Sequence, residues 1–154
     1  MSSNQREGGI SNAKVGSDFE EDTYEYFKEH QQLILKPNIK IEIGVSNRKL
    51  KLHAFDLGCE EKKILVECKS HKWTAGDNVP SAKLTVWNEA MYYFMASPKD
   101  YRKIMFVLKD YNKKRKVSLA SYYIKKYGHL IPDDVEFWEF DENAKTAEKL
   151  TIIA

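Results

Sequence analysis

Hydrophobic and polar residues follow one another along the chain in patterns that predict three helices and five strands. Helical spacing of apolar side chains predicts a first helix from Ser17 to about Leu35, where Pro37 ends it. Its apolar stripe comprises Phe19, Thr23, Tyr26, Phe27, His30, Leu33 and Ile34. A second helix is predicted to start at Pro80-Ser81, and a third runs from Ser118 to Tyr127 and is ended by Gly128. Apolar runs predict strands at residues 39–45, 50–57, 64–70, 104–108 and 135–140.

This order of elements, α-β-β-β-α-β-α-β, predicts an α/β fold in which helices cover both faces of one mixed sheet. The second and third strands carry apolar side chains on both faces, which places them in the interior of the sheet. Residues 1–16 contain few large apolar side chains and are expected to form a flexible arm. Residues 17–154 contain no linker or repeat and are expected to form a single domain.

The amino-acid composition indicates a single globular domain and argues against a disulfide-rich or membrane-spanning protein. With 154 residues, of which 42% are hydrophobic and 31% charged, the chain has the size and mixture of one ordinary globular domain. Two cysteines are too few for a disulfide scaffold or a four-cysteine zinc site, and reduced thiols are typical of a cytoplasmic protein. The sequence has no apolar run of ~18 residues and no apolar signal-peptide core, so no membrane span is expected.

Charge is distributed unevenly, although the net charge is only +2. Residues 99–126 contain ten Lys and Arg against two acids, whereas residues 127–154 contain two Lys against seven acids. The run from Lys109 to Lys116 follows the fourth strand and holds five cations and a tyrosine, as in surfaces that bind a sugar–phosphate backbone. Alone, such a run is usually a solvated loop. The acidic segment from Asp133 to Glu142 would repel nucleic acid and is expected to lie away from a binding groove.

Candidate chemistry lies on the second and third strands. Glu67 and Lys69 share one face of an otherwise apolar strand, and buried charge is unfavourable unless it is paired or binds a metal. If the four residues between Cys59 and Ile64 form a hairpin loop, Cys59 pairs with Ile64, and Asp56 then lies opposite Glu67. Two carboxylates this close repel each other unless one is protonated or a cation lies between them.

A hard divalent ion such as Mg²⁺ prefers oxygen ligands and would resolve this repulsion. Lys69 would then orient or deprotonate a water, or offset charge that develops on a phosphate. The alternative is a structural ion triad, in which Lys69 neutralises Asp56 and Glu67.

The pattern Asp56-x10-Glu67-x-Lys69 resembles that of the PD-(D/E)XK nuclease superfamily. The resemblance covers some two-thirds of the chain, because the restriction-endonuclease-like core of that family has the order α-β-β-β-α-β. Phe55 stands where the family has a proline. The resemblance implies that Asp56 and Glu67 bind Mg²⁺, for which Mn²⁺ substitutes, and that Lys69 activates water. It also implies that the backbone carbonyl of Cys68 is a further ligand and that the last helix and strand are an additional C-terminal αβ unit.

The start of the first helix offers a fourth candidate. The segment from Gly16 to Glu20 is similar to the G-x-x-F-E pattern of some branches of this superfamily, in which the glutamate assists the metal site. Helical phase favours Glu20 over Glu21, because Glu20 lies at the edge of the apolar stripe. The alternative is a capping box, in which Ser17 begins the helix and Glu20 only bonds its first turn.

Side chains around the predicted site are suited to nucleic acid. Trp73 would stack on a base, or alternatively pack back onto the fold, and Lys72 would contact a phosphate. Lys83, near the start of the second helix, would also contact phosphate if that helix end faces the site, and is otherwise solvated. The expected nucleic-acid-binding residues are Lys72, Trp73, Lys83, Lys113, Lys114, Arg115 and Lys116.

Together these features predict a Mg²⁺-dependent DNA endonuclease that hydrolyses phosphodiester bonds, in a restriction-type role or in repair or junction cleavage. One catalytic core cuts one strand, so double-strand cleavage would require a homodimer or a partner subunit. The alternative is a non-catalytic nucleic-acid-binding or assembly subunit that retains the fold. The intact Asp56, Glu67 and Lys69 argue against it, because a binding module does not need paired buried acids.

Overall fold

The computed structural model describes residues 12–152, which form three α-helices, one 3-10 helix and eight strands. The helices are α1 (Asn12–Gln31), α2 (Ser81–Met95) and α3 (Leu119–Tyr127), and the 3-10 helix spans Gly128–Leu130. The strands are β1 (Lys36–Ile43), β2 (Lys51–Cys59), β3 (Ile64–Lys69), β4 (Arg102–Leu108), β5 (Tyr111–Asn112), β6 (Val117–Ser118), β7 (Val135–Asp141) and β8 (Thr146–Leu150). Every helix in this range is too short or too polar to cross a lipid bilayer.

Six of the strands form one mixed sheet in the order β1-β2-β3-β4-β7-β8. β3, β4 and β7 run parallel to one another, whereas β1, β2 and β8 pair antiparallel with their neighbours. The predicted α/β class and mixed sheet are confirmed, as is the interior position of β2 and β3. Because parallel strands end at a common edge, the segments that follow β3, β4 and β7 all leave the sheet on one side. We call this side the carboxyl edge.

Helices cover both faces of the sheet, as predicted. On one face, α1 packs against β4, and the ring centroids of Phe27 and Phe106 lie 5.2 Å apart. On the other face, Trp87 of α2 and Tyr123 of α3 pack against Phe137 of β7. The two central strands, β3 and β4, are therefore buried between helical layers along most of their length.

The start of α1 differs from the prediction. The helix begins at Asn12, five residues before Ser17, so residues 12–16 are helical and do not belong to an arm. Residues 1–11, the rest of the predicted arm, lie outside the described residues. Polar residues in the first turns hide this start from a periodicity argument, because they continue no apolar stripe.

The end of α1 also differs from the prediction. The helix stops at Gln31, and Gln32 adopts the left-handed backbone conformation with φ +53. Pro37 therefore lies inside β1, where an edge strand tolerates a residue without an N–H group, and it does not end the helix. His30 and Ile34, which were expected on the apolar stripe, are exposed.

Apolar periodicity does not predict β5, β6 or β8. β5 and β6 pair as a two-residue hairpin that encloses the basic residues 113–116. β8 adds an outer strand beside β7, and its mostly exposed side chains carry no apolar alternation. After α3, Gly128 keeps right-handed helical angles and continues into the 3-10 helix.

Candidate active site

The two acids lie where the backbone pairing of β2 and β3 stops. Cys59 pairs with Ile64 in the predicted register, which places Asp56 opposite Glu67. At Asp56 and Glu67 the two strands are joined by bonds from backbone N–H groups to carboxylate oxygens, in place of backbone–backbone hydrogen bonds. The Asp56 N–H donates to Oε2 of Glu67 at 3.0 Å, and the Cys68 N–H donates to Oδ2 of Asp56 at 2.8 Å. Each carboxylate is thus fixed by the opposite strand.

β2 changes its facing at Asp56. Phe55 belongs to the cluster under α2, whereas Leu57 belongs to the cluster under α1. Residues two apart in a strand normally share a face, so the strand is twisted at the residue between them. Asn38, the β1 residue that would face Asp56, is skipped in the pairing and has φ +56. Asp56 therefore stands outside the regular pleat.

Lys69 ends β3 and lies beside Glu67. Its Nζ is 3.8 Å from Oε1 of Glu67, and the two side chains are only 17% and 9% exposed. This is the one ion pair within 4.0 Å that Lys69 makes among residues 14–152. The lysine therefore reaches one of the two acids, and no cation in the described part of the chain lies within that distance of Asp56.

Negative charge exceeds positive charge at this site. Burial, followed by the charge of Asp56, raises the pKa of Glu67 from 4.5 to about 7, and Lys69 offsets only part of this rise. An ion triad that served stability would lower the pKa of its acids. The arrangement instead favours uptake of a proton or a cation near neutral pH.

Glu20 approaches the acids from α1. Burial raises the pKa of Glu20, the charge of Asp56 raises it further, and Lys69 lowers it, so these side chains interact electrostatically. The capping-box alternative is wrong, because α1 begins at Asn12 and Ser17 is an exposed residue of its second turn. Glu20 is therefore free of that role and lies within electrostatic range of Asp56 and Lys69.

The oxygen atoms left over at the site fit a hard divalent cation. Within residues 14–152, neither Oδ1 of Asp56 nor Oε1 of Glu67 accepts a hydrogen bond, and Oε1 of Glu67 lies 3.8 Å from the Lys69 ammonium. Mg²⁺ commonly binds one or two carboxylates and completes its shell with water and substrate phosphate. No three His, Cys, Asp or Glu side chains of the described range form a ready metal-binding group. The side-chain contribution is therefore two acids.

The Cys68 thiol faces α1, whereas Glu67, its neighbour on β3, faces the other side of the strand. The thiol donates to Oγ1 of Thr23 on α1 at 3.5 Å, and burial, followed by the charge of Asp56, raises its pKa well above 9.0. Cys59 and Cys68 are both free thiols. The backbone N–H of Cys68 binds Asp56, and its backbone carbonyl stays a predicted ligand.

His53 of β2 is a titratable residue near the acids. Apart from its position three residues before Asp56, nothing in the sequence indicates that it belongs to the site. Its ring stacks on Tyr93 of α2 with centroids 3.9 Å apart. Its Nε2 is buried and has no hydrogen-bond partner in the described residues. Burial lowers the pKa of His53 against the opposing charges of Asp56 and Glu89. The imidazole of His53 therefore packs against α2 and interacts electrostatically with Asp56.

The segment after β3 is held by the protein. The Trp73 backbone N–H donates to Oδ2 of Asp110 at 2.8 Å, and its indole Nε1 donates to the Asp110 carbonyl at 3.0 Å. The ring also meets Tyr122 edge-on, with centroids 5.4 Å apart. Trp73 thus follows the packing alternative. Lys72 pairs with Glu142 at 3.8 Å, so the end of the acidic segment lies beside this segment and not away from it.

The other residues predicted to contact nucleic acid also lie in segments that leave the sheet at its carboxyl edge. Lys83 is a partly buried residue in the first turn of α2, which begins after the segment that leaves β3. The turn between β5 and β6 carries four exposed cations: Lys113, Lys114, Arg115 and Lys116. Except for Arg115, which lies against Trp73 with its guanidinium carbon 5.2 Å from the ring centre, they extend from the fold.

Neither an apolar cavity nor known relatives identify the site. A cavity of about 810 Å³ lies between α3 and the end of β8, and no site residue lines it. Comparison of the chain with protein-family models, with curated proteins and with solved structures found no match. The function inferred for the chain therefore depends on the side chains at the carboxyl edge.

Proposed function

We propose that the chain is a Mg²⁺-dependent DNA endonuclease of the PD-(D/E)XK superfamily with a restriction-endonuclease-like core. The observation that carries this proposal is the excess negative charge where Asp56 and Glu67 meet beside Lys69. The order α1-β1-β2-β3-α2-β4, followed by an α3-β7-β8 unit, agrees with it. Restriction-type cleavage is the first role we propose, and repair or junction cleavage would use the same chemistry.

Each site residue has its own task in this mechanism. Asp56 and Glu67 hold Mg²⁺, for which Mn²⁺ substitutes, together with the backbone carbonyl of Cys68. The cation supplies Lewis-acid activation of the phosphodiester when it is bound. Lys69 orients the attacking water or offsets the charge that develops on the phosphate, and its Nζ lies close enough to Glu67 for either task. Glu20 assists the metal site, and its charge contributes to the raised pKa of Glu67.

The proposed substrate is DNA. Its phosphates would meet the cations of the carboxyl edge, which include Lys72, Lys83, Lys113, Lys114 and Lys116. One core cuts one strand, so a homodimer or a partner subunit is needed to cleave both strands. The two free thiols fit a reducing compartment, and we place the protein in the cytoplasm.

Nicking of supercoiled plasmid tests this function directly. With Mg²⁺ or Mn²⁺ the protein should convert the plasmid to the open circle, and a chelator should stop the reaction. Asp56→Asn and Lys69→Met should each lower the rate by roughly 10²–10⁴-fold, the usual contribution of a proton-transfer or charge-stabilising group.

The chain offers a matched control, because Glu60 and Lys62 repeat the acid-x-lysine spacing in an exposed turn. Glu60→Gln combined with Lys62→Met should leave the nicking rate unchanged. An unchanged rate in Asp56→Asn or Lys69→Met would show that the site is assigned wrongly. Tight DNA binding without cleavage under any divalent ion would instead favour the non-catalytic binding subunit.

A further inference from the structure

The segment after β3 and the hairpin after β4 are bonded together into one unit at the carboxyl edge. We call residues 71–79 and 109–118 the loop–hairpin unit. Asp110 accepts hydrogen bonds from the backbone N–H of Trp73, through its carboxylate, and from the indole N–H, through its backbone carbonyl. On the other side, Nδ2 of Asn112 donates to Oδ1 of Asp77 at 2.8 Å, and Nε of Arg115 donates to the Asp77 carbonyl at 2.7 Å. Arg115 also covers the Trp73 ring.

The two acids of the unit, Asp77 and Asp110, accept hydrogen bonds that join its two segments, and they do not neutralise the lysines of the hairpin tip. Asp110 accepts from a backbone amide, and the Asp77 carboxylate accepts from a neutral amide side chain. Within residues 14–152, Lys113, Lys114 and Lys116 form no ion pair at 4.0 Å or less, and all three are exposed. The hairpin tip therefore presents uncompensated positive charge on a turn that is already folded.

The unit is close to the candidate active site along the chain. Trp73 follows Lys69 by four residues, so their Cα atoms are at most about 14 Å apart. Because β3 and β4 are parallel neighbours, Asp110 leaves the sheet on the same edge. A nucleic-acid backbone that reaches Lys69 can thus continue onto the hairpin tip.

We propose that Asp77 and Asp110 are positioning residues that fix the hairpin tip beside the active site, where Lys113, Lys114 and Lys116 hold the phosphates that flank the cleaved bond. The proposal rests on the proposed function for the role of the flanking phosphates. Trp73 and Arg115 act inside the unit and do not contact DNA, in contrast to the expectation from sequence. Preassembly of the tip lowers the ordering cost of binding, since the lysines need no folding step.

Asp77 provides a test in which positioning and simple electrostatics predict opposite signs. Asp77→Ala removes a negative charge, so electrostatics alone would tighten binding of duplex DNA. If Asp77 fixes the hairpin, the same substitution should weaken binding about five- to tenfold. Asp77→Asn removes the same charge but keeps the Oδ1 acceptor and suits the φ of +62 at this position, so it should bind at least as tightly as the unaltered chain.

The affinity of a 20–30 base-pair duplex (a length of roughly two to three helical turns) is measured in Ca²⁺ or chelator, over a series of salt concentrations. Each phosphate contact contributes about 0.9 to the slope of log affinity against log salt, so Lys113→Ala, Lys114→Ala and Lys116→Ala together should lower it by two to three. The matched control is the triple alanine variant of Lys99, Lys125 and Lys126, which are also exposed. It should change the slope less.

Asp133→Ala, an exposed acid at the opposite edge, controls for charge and should not weaken binding. Hydrogen exchange of the β5–β6 amides shows whether Asp77→Ala loosens the hairpin while the sheet stays protected. Equal or tighter binding by Asp77→Ala would overturn the positioning role, and an unchanged slope in the tip triple variant would overturn the phosphate contacts. Since these are binding readouts, they can hold even if plasmid nicking fails and the proposed endonuclease activity is wrong.

Discussion

Two clusters of charged residues lie in the same sheet and differ in how completely their charges are compensated. Near the amino ends of β4 and β7, Arg102 donates Nε and Nη2 to the two oxygens of Glu136, at 2.8 and 3.0 Å. Trp138 Nε1 adds a third bond at 3.0 Å. Burial alone would raise the pKa of Glu136, but these hydrogen bonds and the charges of Arg102 and Lys149 together outweigh it and lower the pKa.

At the carboxyl edge of the sheet, the effect of burial on Glu67 exceeds that of its compensating interactions. Glu67 is more deeply buried than Glu136, its cation is 3.8 Å away, and a second acid lies opposite. Its pKa rises where that of Glu136 falls. Buried charge therefore does not distinguish a functional cluster from a structural one. The two clusters differ in compensation, and the incompletely compensated one has an energetic reason to bind a proton or a cation.

The largest expected stability effect is at Glu67. A raised pKa means that the protonated acid stabilises the fold below pH 4.5 and that this contribution is lost as the pH rises through about 7. Glu67→Gln, which keeps an acceptor for the Asp56 N–H, should therefore raise the free energy of unfolding at pH 8 by up to about 3 kcal/mol. At pH 4 it should change little. Denaturant unfolding at the two pH values measures the difference.

Mg²⁺ sharpens this prediction, because a ligand that binds only the folded state stabilises it. At pH 8 the cation should raise the melting temperature of the unaltered chain and have a smaller effect on Glu67→Gln. If Glu67→Gln is destabilising at pH 8, or if Mg²⁺ stabilises both proteins equally, the contrast with Glu136 is lost.

The compensated cluster should respond in the opposite direction. A lowered pKa means that Glu136 stabilises the fold above pH 4.5 and loses that contribution as the pH falls through its folded value. Arg102→Met should cost about 1–2 kcal/mol at pH 7, since the guanidinium is partly exposed, and less in acid.

Lys149 is the matched control for Arg102, because its Nζ is 3.9 Å from Glu136 and its side chain is 57% exposed. Lys149→Met should cost less than about 0.5 kcal/mol. Plasmid nicking should be unaffected by either change at a temperature where the variants are folded. A loss of nicking in Arg102→Met would mean that both clusters serve the activity.

The smallest effects are expected at the helix that borders the acids. Ser17→Ala should change stability by less than about 0.5 kcal/mol, whereas loss of a true N-cap typically costs ~1 kcal/mol. Glu20→Gln removes a charge that raises the pKa of Glu67, so the acidic limb of the pH–rate profile should move to lower pH. An unmoved limb would place Glu20 outside the site.

Much of the site follows from local sequence. The four-residue turn between Cys59 and Ile64 fixes the register of β2 and β3, and that register alone brings Asp56 opposite Glu67. Apolar neighbours on β3 likewise identify Glu67 and Lys69 as the unusual residues of a buried strand. These predictions succeed because hairpin geometry and strand alternation act over only a few residues.

Other features depend on contacts between distant segments. The hydrogen bonds to Asp110 decide that the Trp73 ring is held by the protein. No pattern near these residues predicts such partners, which lie up to 37 positions away in the chain.

The sequence by itself determined the α/β class, the pairing of the two acids and the basic character of the hairpin, since each follows from alternation, turn length or composition. Only the tertiary structure decided how much of each charge is compensated. Compensation depends on burial and on the few ångströms between groups brought together by the sheet, as the opposite pKa shifts of Glu67 and Glu136 demonstrate. The chemistry that we propose for the carboxyl edge depends on that difference.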